Sequence, residues 1–384
     1  DKITDLYRKK SFITSRAYLP PQKIGIGTIE IRVLEGVTGT AEVKGNRYFK
    51  SKLLLGYLTL KKGNPFNYDI LRRDMAKINE NSDVFSRAVL VPGKEAGQTD
   101  IVLEVKDKLP IHAGLAWDNY GSRYIGSQRY NIKASHNNLL GFGDILNIQF
   151  QMGQQDRYYL ENLSYLFPLS GGWKVGAAAT LSKVKLGKEF EDSDVVGKTK
   201  VYSLFANNAL IDKENFDLNL NFGFDYKDMV NSENSAVTSH DRLRVAKLGL
   251  DIDMSDKLGR TLFTYEFDAG IPNIMGGMNA KDGDSSRPGA GGKFMKNTLN
   301  LFRLQNLPFS TNLLWKTQVQ LSPYILPSAE QFQIGGIANV RGYAPAEAVG
   351  DSGLATTFEL SLPVYPIPKN INFPFSKAKI YDAL

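Results

Sequence analysis

Phe216-Asp217-Leu218-Asn219-Leu220-Asn221-Phe222-Gly223-Phe224-Asp225-Tyr226 puts an apolar side chain at every even position and a polar or small one at every odd position. Successive side chains of an extended strand point to opposite faces, so this stretch reads as a two-faced strand of about ten residues. The pattern recurs along the chain. Leu146, Ile148, Phe150 and Met152 alternate with Asn147, Gln149 and Gln151. Ala246, Leu248, Leu250, Ile252 and Met254 alternate with Lys247, Gly249, Asp251 and Asp253. Leu313, Trp315, Thr317, Val319 and Leu321 alternate with Leu314, Lys316, Gln318 and Gln320. Strands of soluble sandwiches usually run about five or six residues. These runs are about twice that, the length that crosses a bilayer at a tilt of roughly 45°. Tyr158, Tyr159, Tyr165 and Phe167 cluster near run ends, where interfacial girdles lie. In hydrocarbon every backbone polar group must be paired, which demands closure into a barrel. The pattern therefore favours a transmembrane antiparallel β-barrel over a soluble sandwich.

Thirteen such runs are predicted from residue 111 onward, at 111–120, 124–135, 144–154, 157–168, 173–186, 197–210, 215–228, 243–255, 259–270, 294–306, 312–323, 353–363 and 378–384. Bacterial barrels mostly have even strand numbers. An odd count ending in a stub predicts an incomplete barrel.

Ahead of the barrel the period changes. Ile29–Leu34 and Thr40–Lys44 read as short strands. Ser51–Leu55 and Asp69–Ile78 carry helical spacing, with Ile70, Leu71, Met75 and Ile78 on one stripe. Arg87–Val91 and Asp100–Val105 are strands joined by a glycine-rich turn. The order β-α-α-β-β in about 75 residues predicts one small α+β domain.

Composition excludes several classes. The 384 residues contain no Cys, which removes disulfides, thiolate nucleophiles and Cys-based metal sites. Three His, at 112, 136 and 240, are too few for a His-rich metal centre unless the fold gathers them. No run of eighteen apolar residues predicts a membrane-spanning helix. The net charge of +7 sits entirely in residues 1–106, which hold 19 Lys/Arg and 12 Asp/Glu; the remainder holds 28 of each. Such a region can meet nucleic acid, an anionic lipid surface or an acidic polypeptide. It lacks the aromatic–basic interleaving of RNA-binding modules, so no nucleic-acid partner is predicted.

Most motifs read as structure rather than chemistry. Gly350-Asp351-Ser352-Gly353 looks like a serine-protease nucleophile, but Leu354 follows where glycine is needed, and a polar loop entering a strand explains it better. Gly25-Ile26-Gly27 lacks the third glycine of a dinucleotide fingerprint. Asp282-Gly283-Asp284 lacks calcium-loop spacing. Asp251 and Asp253 share one strand face as solvated wall residues rather than an acid/base pair. Val340-Arg341-Gly342-Tyr343 is sharper. It follows Ile334-Gly335-Gly336 in a long loop between two good strands. Glycines allow that loop to fold back, and an Arg carried into a lumen needs a carboxylate to offset desolvation. An exposed Arg in a mobile loop is the other reading.

Ile334-Gly335-Gly336, Val340-Arg341-Gly342-Tyr343, Gly350-Asp351-Ser352-Gly353 and Phe358-Glu359-Leu360 together resemble the signature of the Omp85 superfamily. More closely, the chain resembles the outer-membrane transporters of two-partner secretion, the haemolysin/adhesin secretion–activation proteins. Arg16–Gln22 is similar to that family's segment before the last strand of its first POTRA domain. Gly63–Phe66, Val91–Gly93 and Gly97–Asp100 are similar to its second POTRA domain, and Asp118–Ser122, Gly126–Arg129 and Asn138–Asp144 to its opening barrel strands.

The resemblance implies a sixteen-stranded barrel after two periplasmic POTRA domains, in a protein longer at both ends than this chain. It implies a first POTRA remnant at 1–36, a second POTRA at 37–107, and the N-terminal part of the barrel at 108–384, with loop six at 324–352. By count, the strands at 312–323 and 353–363 are the eleventh and twelfth, which makes the loop between them the sixth on its side. The family places an Asp on strand thirteen opposite the loop-six Arg, and Asp382 matches that position. The implied function is ATP-independent export of an unfolded partner exoprotein from the periplasm across the bacterial outer membrane. The implied barrel is monomeric and lipid-embedded, with no reaction and no cofactor. An extended substrate can add a strand to an exposed sheet edge, and a basic region can steer an acidic segment. Ala41, Val43, Ile70, Arg73, Lys77 and Val89 are the expected substrate-contact positions. An outer-membrane protein assembly factor of the same superfamily and a passive porin are the alternatives.

Overall fold

The computed structural model describes residues 2–22, 27, 29–213 and 215–363. The chain forms two compact units, one of residues 1–117, 130–152 and 159–180, the other of 118–129, 153–158 and 181–384.

In the first unit, helix α1 (Lys2–Lys9) precedes a two-stranded ribbon of β1 (Arg16–Tyr18) and β2 (Arg32–Leu34). The α+β domain follows as β3 (Val37–Lys44), α2 (Ser51–Gly56), α3 (Tyr68–Asn79), β4 (Val84–Pro92) and β5 (Gln98–Asp107). The expected strand at 29–34 thus joins β1 rather than the three-stranded sheet. That sheet has the order β3-β5-β4, with β3 parallel and β4 antiparallel to the central β5. Helix α3 starts where Asn67 caps it, its side-chain oxygen accepting from the N–H groups of Asp69 and Ile70. Leu71 and Ile78 from α3 join Phe49, Leu54, Phe66, Val84, Ile101, Leu103 and Val105 in one core. Asp74 is buried on the same helix because it accepts from the N–H and hydroxyl of Thr59.

The same unit ties this domain to the first barrel strands. Buried Asp83 lies 2.9 Å from His112 Nε2 and accepts from Asn137 Nδ2 at 2.8 Å. Asn138 Nδ2 donates to the Tyr48 carbonyl. Asp144 closes the intervening turn, accepting from the N–H groups of Leu140 (3.0 Å) and Phe142 (3.2 Å) and from Tyr165 Oη (2.9 Å). Burial alone would raise its pKa, but these donors hold it below the usual 3.8. A carboxyl whose pKa is lowered on folding contributes stability above its unfolded value, and that stability is lost as pH falls through the folded value. Protease protection of the 137–144 turn should therefore hold from about pH 7 to pH 5 and fall below about pH 4. Asp144→Asn should abolish this pH step.

Twelve strands form one antiparallel sheet: β6 (Ile111–Asp118), β7 (Arg129–His136), β8 (Ile145–Gly153), β9 (Tyr158–Pro168), β10 (Trp173–Lys185), β11 (Val196–Lys213), β12 (Phe216–Glu233), β13 (Ala236–Asp256), β14 (Gly259–Gly270), β15 (Phe294–Leu307), β16 (Thr311–Leu321) and β19 (Gly353–Ser361). The order is sequential, except that a short ribbon of β17 (Phe332–Ile334) and β18 (Ala348–Gly350) interrupts the step from β16 to β19. The sheet does not close among the described residues, so the barrel is incomplete. The predicted thirteenth run, 378–384, lies outside them.

Register in the second unit sorts the side chains by face. Leu220, Leu250, Tyr265, Leu299, Val319 and Leu354 stand opposite one another across six strands. The adjacent row is Asn221, Gly249, Glu266, Thr298, Gln320 and Gly353. The apolar face has no second sheet over it: Phe222, Leu248 and Phe358 are exposed, and Leu354 is 62% exposed. A soluble sandwich would bury this face; a lipid-facing sheet presents it. Mainly β, with a transmembrane antiparallel barrel sheet after a small α+β domain, is the fold class.

Candidate functional site in the sixth loop

Residues 322–352 form the sixth loop on the side of the sheet reached after β6, β8, β10, β12, β14 and β16. Its glycines determine its path. Gly335, Gly336 and Gly342 have φ of +117°, +83° and +93°, the region that favours glycine. The loop folds back so that the Gly336 N–H donates to the Tyr343 carbonyl. Asn339 holds this tip, its side-chain oxygen accepting from the N–H groups of Gly335 and Val340 at 2.8 Å. Val340, Arg341, Gly342 and Tyr343 follow, and Tyr343 is exposed.

The tip rests against the polar face of the sheet. Thr357 Oγ1 on β19 donates to the Asn339 carbonyl, and Arg341 Nη2 meets Glu359 Oε1 at 2.7 Å. Glu359 and Thr357 share the face opposite Phe358, so the alternation of β19 itself selects which carboxylate the Arg can reach. A cavity of about 290 Å³ lies under Ala338 and Asn339, lined by Thr264, Asn300, Lys316 and Gln318 among others. Asp382, the expected partner of Arg341, lies outside the described residues.

Sequence reasoning did not find the second attachment. Glu330 is 2% exposed, with Lys227 Nζ 2.6 Å from Oε1 and Lys296 Nζ 2.6 Å from Oε2. Burial pushes the Glu330 carboxyl up, but the two ammonium groups outweigh burial and hold it below its ordinary value. Asp351, dismissed as part of a protease motif, pairs with Arg287 of the 271–293 loop and accepts from the Leu326 N–H. Ser352 Oγ accepts from the Ser322 N–H across the neck of loop six. Met229, Leu243, Val245, Met278, Phe294 and Leu326 pack into a small apolar cluster beside it. Asp251 and Asp253 do not pair with each other; Asn221 donates to the first and Arg260 pairs with the second. Asp282 and Asp284 are engaged by Asn279 and Arg242.

The expected contact positions of the α+β domain are dispersed. Ala41 and Val43 lie on edge strand β3, Val89 on the opposite edge β4, and Ile70, Arg73 and Lys77 on α3, which packs on β4. The fold brings α3 and β4 together, whereas β5 separates β3 from both.

Together the elements make a membrane-barrel sheet with a folded-back loop and a small α+β domain ahead of it. Residues 97–378 match the haemolysin secretion/activation protein ShlB/FhaC/HecB family, and residues 1–36 match a ShlB-type POTRA domain. The chain belongs to this family, whose members are the outer-membrane transporters of two-partner secretion. Among relatives, the heme/hemopexin transporter protein HuxB of Haemophilus influenzae is 25% identical over 376 residues, covering 95% of this chain. The chain spans 66% of that protein's length. The solved structure of CdiB from Escherichia coli matches with a TM-score of 0.78 at 21% identity, over 96% of this chain and 69% of that one. BamA from Haemophilus ducreyi matches with a TM-score of 0.60 at 13% identity, over 99% and 78%. The structural likenesses establish the fold, and the family places the chain in the outer membrane with its POTRA region in the periplasm.

Proposed function

We propose that the protein recognises one secreted partner exoprotein through its periplasmic α+β domain at 37–107 and passes it, unfolded and without ATP, through the barrel at 108–384. Residues 1–36 lead into that domain. The observation that carries this reading is loop six folded inward against the polar face, its Arg341 paired with Glu359. A lumen lined by Asn, Gln, Asp and Lys offers an extended chain no apolar surface to stick to. Outside Val37–Thr38, which pair with 63–65, and Ser86, which the Asn79 side chain caps, edge strands β3 and β4 offer rims that an extended segment can join. Arg73 and Lys77 on α3 add positive charge beside β4. HuxB is named as a transporter of heme/hemopexin; the exoprotein of this chain is a separate question of its own sequence neighbours.

The test is co-expression of the full-length protein with candidate exoproteins. Export is expected with the intact protein and is expected to fall at least tenfold when residues 37–106 are deleted, while the barrel still reaches the membrane. Undiminished export after the deletion would sink the recognition role. High steady conductance with no export of any partner would favour a porin.

A further inference from the structure

We infer that loop six has two mechanical parts: a fixed base, residues 322–334 with 348–352, fastened by Glu330, and a releasable tip, residues 335–347, that carries Val340-Arg341-Gly342-Tyr343. This deepens the transport reading above, because it states which part of the loop clears the lumen.

The two parts are held by different kinds of contact. The base is dry. Leu326 is fully buried, Gln320 of β16 donates to the carbonyls of both Glu330 and Asp351, and Arg287 donates to the Leu326 carbonyl at 2.6 Å. The neighbouring loop joins in, since Ser286 Oγ accepts from the Ser328 N–H and Asp241 of β13 accepts from the Ser286 N–H. Three strands and one loop therefore hold the base. The tip has one hydroxyl contact and one ion pair to the wall, and that pair is open to solvent, with Arg341 60% exposed and Glu359 35% exposed at the side chain. Solvent-exposed pairs are weak and exchange readily.

Charge bookkeeping on the wall shows why Glu330 is the fastener. Lys227 and Lys247 flank Asp225 at 3.7 and 3.6 Å, Lys247 reaches Glu266 at 3.1 Å, and Lys296 reaches Asp268 at 3.3 Å. Three lysines thus face three carboxylates, and the wall is balanced before the loop docks. Glu330 is the additional charge. Its burial depends on Lys227 and Lys296, whereas each of those lysines keeps a wall carboxylate without it, Asp225 at 3.7 Å and Asp268 at 3.3 Å. Removing one member of a buried pair is costly when the other is left uncompensated. The dependence is one-sided, which gives it a signature in paired variants. With the base and the 271–293 loop fixed, the tip is the part that moves, and the exit route runs past it.

The experiment uses the full-length protein in the outer membrane of intact cells, with added protease as the probe of loop six and fragment mapping to separate base from tip. Glu330→Gln is expected to raise cleavage in the base several-fold with normal barrel folding, read as heat-modifiable gel migration. Lys227→Met with Lys296→Met is expected to raise it at least tenfold. Adding Glu330→Gln to that double variant should bring cleavage back to within about threefold of Glu330→Gln alone. Arg341→Ala should expose the tip and leave the base protected. The inference is overturned if the triple variant is as open as the double, if Glu330→Gln leaves base cleavage unchanged, or if Arg341→Ala releases the base too. If the lysine double variant fails to fold, the Glu330→Gln and Arg341→Ala comparison decides alone. No exoprotein is needed, so a protein that exports nothing sinks the transport reading without touching this one.

Discussion

Replacing Arg341 by alanine is expected to lower export about fivefold while leaving barrel assembly unchanged. The pair with Glu359 is largely solvent-exposed, so its worth is about 0.2–1 kcal/mol. A shift of about 1 kcal/mol changes the ratio of docked to released tip roughly fivefold, and it does so without threatening the fold. Glu359→Arg should be worse than Arg341→Ala, because it sets two guanidinium groups against each other. Combining Glu359→Arg with Arg341→Glu should restore at least half of the lost export. The corresponding exchange of Arg341 with Asp382, read from the sequence as the Arg's partner, is the companion measurement. Restoration by neither exchange would remove the ion pair from the mechanism.

Gly335→Ala is expected to have the larger effect on the tip. Gly335 sits at φ +117°, and a Cβ there would stand 2.0 Å from the Ala344 carbonyl oxygen. Backbone held in such a region costs an L-residue about 1–3 kcal/mol, and here the clash is with main chain, which has no flexible end to swing away. The fold-back that places Asn339 under Val340 should fail, taking the Arg341 pair with it. Export should fall at least tenfold, and the tip should become protease-sensitive. Gly342→Ala is the comparison: its φ is +93°, but nothing stands within 4 Å of the added atom, so a smaller loss is expected. Equal losses would mean that torsion alone, not the crowding by Ala344, shapes the loop.

Much of this fold was legible in the sequence because a two-residue period leaves a direct mark. Leu218, Leu220 and Phe222 with Asn219 and Asn221 announce a lipid face and a wet face without reference to any partner strand. The glycines around Arg341 left a local mark of a loop that can turn back, but Glu359, the carboxylate Arg341 meets, was not read from the sequence. The base was not legible. Glu330 lies 103 residues from Lys227 and 34 from Lys296, and only the strand register brings the two lysines to one carboxylate. A lone Glu after Pro327-Ser328-Ala329 carries no local mark of burial. Asp351 was read as part of a polar loop entering a strand, but its staple to Arg287, 64 residues away, carries no local mark.

The long hairpins were also underestimated. The expected run ended at residue 228, but β12 continues to Glu233 and β13 begins at Ala236. Beyond Tyr226 polar residues break the pattern, with Lys227, Asp228, Asn231 and Ser232 around Met229 and Val230, so strict alternation disappears although pairing does not. Ladder hydrogen bonds, cross-strand contacts such as His240 with Asp228, and the packing of Met229 with Leu243 and Val245 carry the strands onward.

That extension has a consequence outside the membrane. Seven residues of β12 past Tyr226 add about 15 Å of height at barrel tilt. The ribbon ends in the left-handed Asn234-Ser235 corner. Residues 230–238 therefore stand clear of the lipid on the side of the sheet that carries loop six, where a reagent outside the membrane can reach them.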